Sequence, residues 1–168
     1  MKNIYLIGFM GSGKSSAAGY LHRTQNMPLD EMDEMIVRKE NMAIPEIFAS
    51  KGEAYFRDLE TEVLKEAAAE DSAVVSCGGG VVLRDLNVEI MKKSGKIILL
   101  EASPETILNR VASNHNRPLL EGKKNVKDIQ KMMDERRTAY ETAADIHIKT
   151  DGKSVKQICR EIVKLSGE

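Results

Sequence analysis

The chain has 168 residues, with 25 Lys and Arg against 26 Asp and Glu, giving a formal net charge of −1. That length suits one domain spanning 1–168, and the balanced charge offers no general attraction to nucleic acid or to an anionic membrane. No apolar run approaches membrane-spanning length, the N-terminus reads as a strand rather than a signal peptide, and Cys77 and Cys159 form no C-x-x-C pair. A monomer in a reducing cytoplasm is therefore expected.

Asn3-Ile4-Tyr5-Leu6-Ile7 reads as a short buried strand, and Gly8-Phe9-Met10-Gly11-Ser12-Gly13-Lys14-Ser15 follows at once. This run fills every required position of G-x-x-x-x-G-K-[ST], the loop that wraps a polyphosphate. Its glycines let consecutive backbone N–H groups turn inward, where a Cβ would obstruct them. Gly11, Ser12, Gly13, Lys14, Ser15 and Ser16 are the expected nucleotide contacts, Lys14 with its point charge and Ser15 with a hydroxyl for Mg²⁺. The helix predicted over Ser15 to Arg23 presents its N-terminus to the same anion.

Met27 to Leu29 is the second expected strand, leading into the acidic turn Asp30-Glu31-Met32-Asp33. Carboxylates there can hold Mg²⁺ and orient or deprotonate a hydroxyl nucleophile. An acidic helix start that suits the macrodipole accounts for the same residues, and position alone leaves both readings open. Helices are predicted over Asp33 to Glu40, from Ile44-Pro45-Glu46, and over Gly52 to Glu70, the last with Phe56, Leu59, Val63 and Leu64 on its apolar side. Arg57 stands one turn before Glu60, which a surface ion pair would explain.

Ala73 to Ser76 is a buried strand ending in Gly78-Gly79-Gly80. Three glycines there contribute no packing and make sense where a substrate approaches the main chain closely. A helix over Asp85 to Lys93, a strand over Lys96 to Leu100 and a helix opened by Ser103-Pro104-Glu105 come next. Asn114 to Asn125 is polar and aperiodic and holds Arg117-Pro118, a candidate lid of about 112–124 whose arginine meets the transferring phosphoryl group. Val126 to Thr142 is helical, with Arg136 and Arg137 adjacent and not separable by pattern. Ile146 to Ile148 is a last strand and Ser154 to Leu165 a closing helix.

Strands alternating with helices predict an α/β fold with a parallel sheet covered on both faces. In such sheets ligands sit at the carboxyl ends of the strands, where the phosphate loop, the acidic turn and the triple glycine all fall. His22, His115 and His147 show no metal-ligand spacing. The chain has no N-K-x-D or D-x-x-G element of a GTPase switch, and its third strand ends in Ser76 rather than a Walker-B aspartate. A small-metabolite kinase fits better than a motor.

Over essentially its whole length the chain resembles the shikimate kinases. The resemblance rests on Ile7 to Ser15, the carboxylate turn ending in Asp33, Phe56-Arg57-x-x-Glu60, Gly78-Gly79-Gly80 and Arg117-Pro118-Leu119-Leu120, in that order and spacing. It implies a five-stranded parallel sheet of the nucleoside-monophosphate-kinase type and transfer of the γ-phosphoryl of MgATP to the 3-hydroxyl of shikimate, in the pathway to chorismate and the aromatic amino acids. It further implies that Asp33 binds the shikimate hydroxyls and serves as base. Arg57 and Arg136 would hold the carboxylate, Glu60 would orient Arg57, and the Gly79 and Gly80 backbone would meet the ring substituents. Arg117 would reach the ATP phosphates, Arg110 would lie against the adenine, and the adenine loop would run near Thr150 to Lys153. One departure stands out. The family has aspartates two apart at the acidic turn, and here the first is Glu31, so Ser15 alone is taken as the metal ligand. The rival readings are a gluconate-type sugar-acid kinase on the same fold, a nucleoside-monophosphate kinase, and a non-catalytic nucleotide-binding module.

Overall fold

Strand β1 (Asn3–Ile7) has all five residues buried, because it runs through the middle of a sheet covered on both faces. The computed structural model describes residues 2–111 and 125–167. Its other strands are β2 (Leu29–Glu31), β3 (Val74–Ser76), β4 (Gly95–Glu101) and β5 (Ile146–Lys149). They form a five-stranded sheet in the order β2-β3-β1-β4-β5, with every pairing parallel. Leu6 stands opposite Ser76 on one side and Ile98 on the other.

Successive strand residues face opposite sides, and the apolar core divides accordingly. Tyr5, Ile7, Val75, Ile97 and Leu99 enter one cluster, and Ile4, Leu6, Val74, Ile98 and Leu100 the other. The helices are α1 (Lys14–Gln25), α2 (Met32–Glu40), α3 (Ile44–Ala68), α4 (Asp85–Ser94), α5 (Pro104–Val111), α6 (Val126–Ala143) and α7 (Val155–Ser166). α1 and α7 cover the second cluster with Ala17, Ala18, Leu21, Ile158 and Ile162. α2 to α6 cover the first with residues such as Ile36, Leu59, Val63, Met91, Ile107 and Ile129. This is the three-layer α/β architecture expected from the alternation of elements.

Two expectations need correction. The second strand is Leu29–Glu31 rather than Met27 to Leu29, with Leu29 paired to Val74 and Glu31 to Ser76. Pro28 has no N–H to donate; its carbonyl accepts from the Val74 amide at 2.8 Å, and the ladder then continues through the acidic pair. Asp30 and Glu31 are therefore strand residues that point to opposite faces, and α2 starts directly at Met32. The helix expected from Ile44 and the one expected from Gly52 form a single run, kinked at Gly52, whose φ of 85° and ψ of 171° are not helical. Local starts behave as expected, with Pro45 in the first turn of α3 and a capping box of Ser154 with Gln157 on α7. The expected lid at 112–124 and its Arg117 lie outside the described residues.

Candidate active site

The loop between β1 and α1 turns on Gly8, Gly11 and Gly13, with φ of 146°, 80° and 100°, values that residues with a Cβ rarely adopt. Lys14 opens α1 with its Nζ held across the loop, donating to Gly8 O at 2.8 Å and to Phe9 O at 3.2 Å. Gly11, Gly13, Lys14, Ser15 and Ser16 all line a cavity of about 400 Å³ at the carboxyl end of the sheet. Ser12 is buried and stays off the cavity wall, its N–H donating to Phe9 O at 3.1 Å. The N-terminus of α1 thus points its amides and one lysine into the cavity, an arrangement suited to an anion.

Ser15 Oγ donates to Glu31 Oε2 at 3.2 Å and lies 3.4 Å from Ser76 Oγ. Burial raises the Glu31 carboxyl above its ordinary range, opposed by hydrogen bonds from Ser15 and Ser76. Asp30 is elsewhere: it faces the other side of β2, does not border the cavity, and is raised by burial and by Glu70. The extra methylene of Glu31 therefore brings a carboxylate to Ser15 where Asp30 does not reach. This set of hard oxygen donors fits Mg²⁺. Among the described residues no group of three or more His, Cys, Asp or Glu could hold a metal, so a cation here would need ligand phosphates and water as well.

Across the cavity stand Asp33, in the first turn of α2, and the side chains of Arg57 and Arg136. Arg57 is no surface ion pair. It is 8% exposed, Glu60 is 1% exposed, and Arg57 Nη1 meets Glu60 Oε1 at 3.1 Å. Burial holds the Glu60 carboxyl above its ordinary range, against the lowering effect of Arg57. Arg136 and Arg137 also part company. Arg136 is buried, 5.9 Å over the Phe9 ring, whereas Arg137 is exposed and pairs with Asp134. Among the described residues, Glu60 Oε2 and Arg136 Nη1 are buried side-chain atoms with no hydrogen-bond partner. A buried guanidinium with an unused donor on a polar cavity is an open position for an acidic ligand.

The triple glycine has a reason that the strand pattern alone does not give. None of Gly78, Gly79 and Gly80 needs a positive φ. A Cβ on Gly78 would stand 2.5 Å from Glu60 Oε2, and one on Gly80 would stand 2.6 Å from Arg57 Cζ. The glycines make room for the buried ion pair as well as for a ligand. Tyr140, which sequence reasoning missed, hydrogen-bonds from its phenol to Gly79 O. Ile44 and Phe48 were read only as the start of a helix, but with Phe56 they give the cavity an apolar wall. Their four-residue spacing was the available signal.

On the nucleotide side, Arg110 and Lys153 both border the cavity. Arg110 Nη1 donates to Gly11 O at 2.9 Å, and Lys153 Nζ pairs with Glu161 at 2.8 Å. Thr150 is buried, and its hydroxyl donates to Glu101 O at 2.8 Å, which anchors the turn that ends at Lys153.

Comparisons with known proteins place the chain among relatives of one family. A family model described as Shikimate kinase matches residues 10–166. A protein of Sulfurihydrogenibium sp. named shikimate kinase is 41% identical over 163 residues, covering 97% of this chain and 96% of its own. Shikimate kinase from Acinetobacter baumannii, solved in complex with shikimate, superposes with a TM-score of 0.94 at 31% identity, covering 98% of this chain and 92% of that one. The crystal structure of shikimate kinase from Aquifex aeolicus gives a TM-score of 0.81 at 38% identity, covering 98% and 96%.

Proposed function

The chain belongs to the shikimate kinase family, and from that premise we propose that it transfers the γ-phosphoryl of ATP to the 3-hydroxyl of shikimate, giving shikimate 3-phosphate. The observation that carries this reading is one cavity lined by two kinds of group: Lys14 and Ser15 on a phosphate loop, and Asp33 with the buried pair Arg57 and Arg136. The planar carboxylate of shikimate suits two guanidinium groups, and its vicinal hydroxyls suit a carboxylate acceptor.

In this reading Arg57, held by Glu60, and Arg136 bind the carboxylate and fix the ring. The backbone of Gly79 and Gly80 meets the ring substituents, and Asp33 accepts the hydroxyl proton as the oxygen attacks the γ-phosphorus. Gly11, Gly13, Lys14 and Ser16 cradle the ATP phosphates while Ser12 braces the loop from behind, Arg110 and Lys153 flank the adenine, and Arg117 brings positive charge to the transferring group. Mg²⁺ would be held by Ser15, with Glu31 beside it, and would neutralise charge on the phosphates. The working unit in this reading is a single domain acting as a cytoplasmic monomer; both cysteines are free thiols, which suits a reducing compartment.

ADP release from the purified protein with MgATP, assayed with shikimate, gluconate, AMP or no acceptor, tests the assignment. Turnover with shikimate alone is expected. Turnover with gluconate or AMP but not shikimate would move the chain to another acceptor, and no turnover with any of them would leave a binding module.

A further inference from the structure

Tyr140 takes no part in the chemistry above, yet it is 6% exposed and lies one turn beyond Arg136 on α6. Its phenol donates to the carbonyl of Gly79. A trans peptide is planar, with its C=O and N–H on opposite edges. A bond to Gly79 O therefore fixes the whole Gly79–Gly80 plane and turns the Gly80 N–H away from Tyr140. Tyr140 does not border the 400 Å³ cavity, whereas Gly79 and Gly80 both do, so the phenol grips this ridge from behind.

Glycine has the widest backbone freedom of any residue, and among the described residues no acceptor takes the Gly80 N–H. The ridge also abuts Arg136: a Cβ on Gly79 would lie 3.4 Å from Arg136 Nη1. Rotation of the plane would thus disturb both a backbone donor and a proposed carboxylate ligand. Burial pushes the Tyr140 phenol above its ordinary range, against the lowering effect of the neighbouring Arg136, and so keeps it protonated and donating at neutral pH.

We propose that Tyr140 is a positioning residue that holds the Gly79–Gly80 peptide plane, presents the Gly80 N–H to the bound acceptor and so sets acceptor affinity without touching it. The proposal rests on the reading of the chain as a shikimate kinase. Tyr140→Phe keeps the ring in its packing and removes only the hydroxyl. The shikimate KM is expected to rise about twofold to tenfold, the range for one hydrogen bond. The ATP KM and kcat at saturation should stay at their wild-type values. In the ligand-free protein the Gly80 amide resonance should shift, because its peptide plane is no longer held at Gly79 O.

Where the wild-type protein turns over shikimate, both changes are required, and the absence of either overturns the proposal. Loss of kcat and of both substrates' binding in step with loss of folded protein would overturn it too, since that marks packing alone. Should the wild-type protein fail to use shikimate, the functional reading falls first, and the Gly80 amide still decides whether Tyr140 holds the plane.

Discussion

Asp33 and Lys14 come from different loops and face the same cavity, and this juxtaposition makes single substitutions informative. Asp33→Asn keeps the shape and removes the charge. With Asp33 as base, kcat should fall by roughly two to four decades while nucleotide binding holds, as steady-state kinetics beside an ATP titration would report. Unaltered kcat and KM for shikimate would remove Asp33 from the mechanism. Gly80→Ala probes the opposite wall. Its Cβ would stand 2.6 Å from Arg57 Cζ, and the guanidinium is the part able to give way, so the protein should fold with Arg57 displaced. Losing one charge-assisted contact should raise the shikimate KM by about tenfold to a hundredfold; a wild-type KM would mean that Arg57 does not bind the acceptor. The phosphate loop was legible at this scale because its residues are consecutive and its chemistry is local. The burial of Arg57 was not. An arginine three residues before a glutamate reads the same on a surface as in a core, and what buries this pair is a run of glycines about twenty positions further along the chain.

Elements were legible where their signals are local, as at Pro45 and Ser154, and misplaced where tertiary pairing decides. β2 shifted because a three-residue edge strand carrying two acids has no periodicity to read, and only the ladder to β3 defines it. Asp30 and Glu31 look equivalent in a sequence, but the pleat sends one toward Ser15 and the other away. The kink in α3 is the reverse case, a glycine whose position was legible and whose geometry was not. At Gly52 φ is +85° and an added Cβ would meet nothing within 4 Å, so Gly52→Ala isolates the backbone cost. About 1–3 kcal/mol of stability should be lost, as measured by urea unfolding, because this extended positive-φ conformation is essentially confined to glycine. Because Ile44 and Phe48 precede the kink and Phe56 and Arg57 follow it, all on the cavity wall, the shikimate KM should rise as well. Unchanged stability would show that the bend is imposed by packing and tolerated by any residue.

At the scale of the molecule, a parallel sheet was legible from the alternation of strands and helices, but the assignment of helices to faces follows from register, which no single segment carries. The sheet parts two apolar layers, and each contains one thiol: Cys77 among the residues covered by α2 to α6, and Cys159 between α1 and α7. Burial pushes the Cys159 thiol up to about 11 and the Cys77 thiol higher still. At pH 7 neither is a thiolate, the form that reacts. A chromogenic disulfide reagent should therefore leave the native protein untouched and label both sites once denaturant passes the midpoint; prompt stoichiometric labelling of native protein would contradict this burial. Below the midpoint the two sulfurs become a pair of stopwatches, one on each side of the sheet. Equal labelling rates would mean that both layers come apart in one event. A faster Cys159 would mean that the α1–α7 side peels off while the acceptor side of the molecule is still closed.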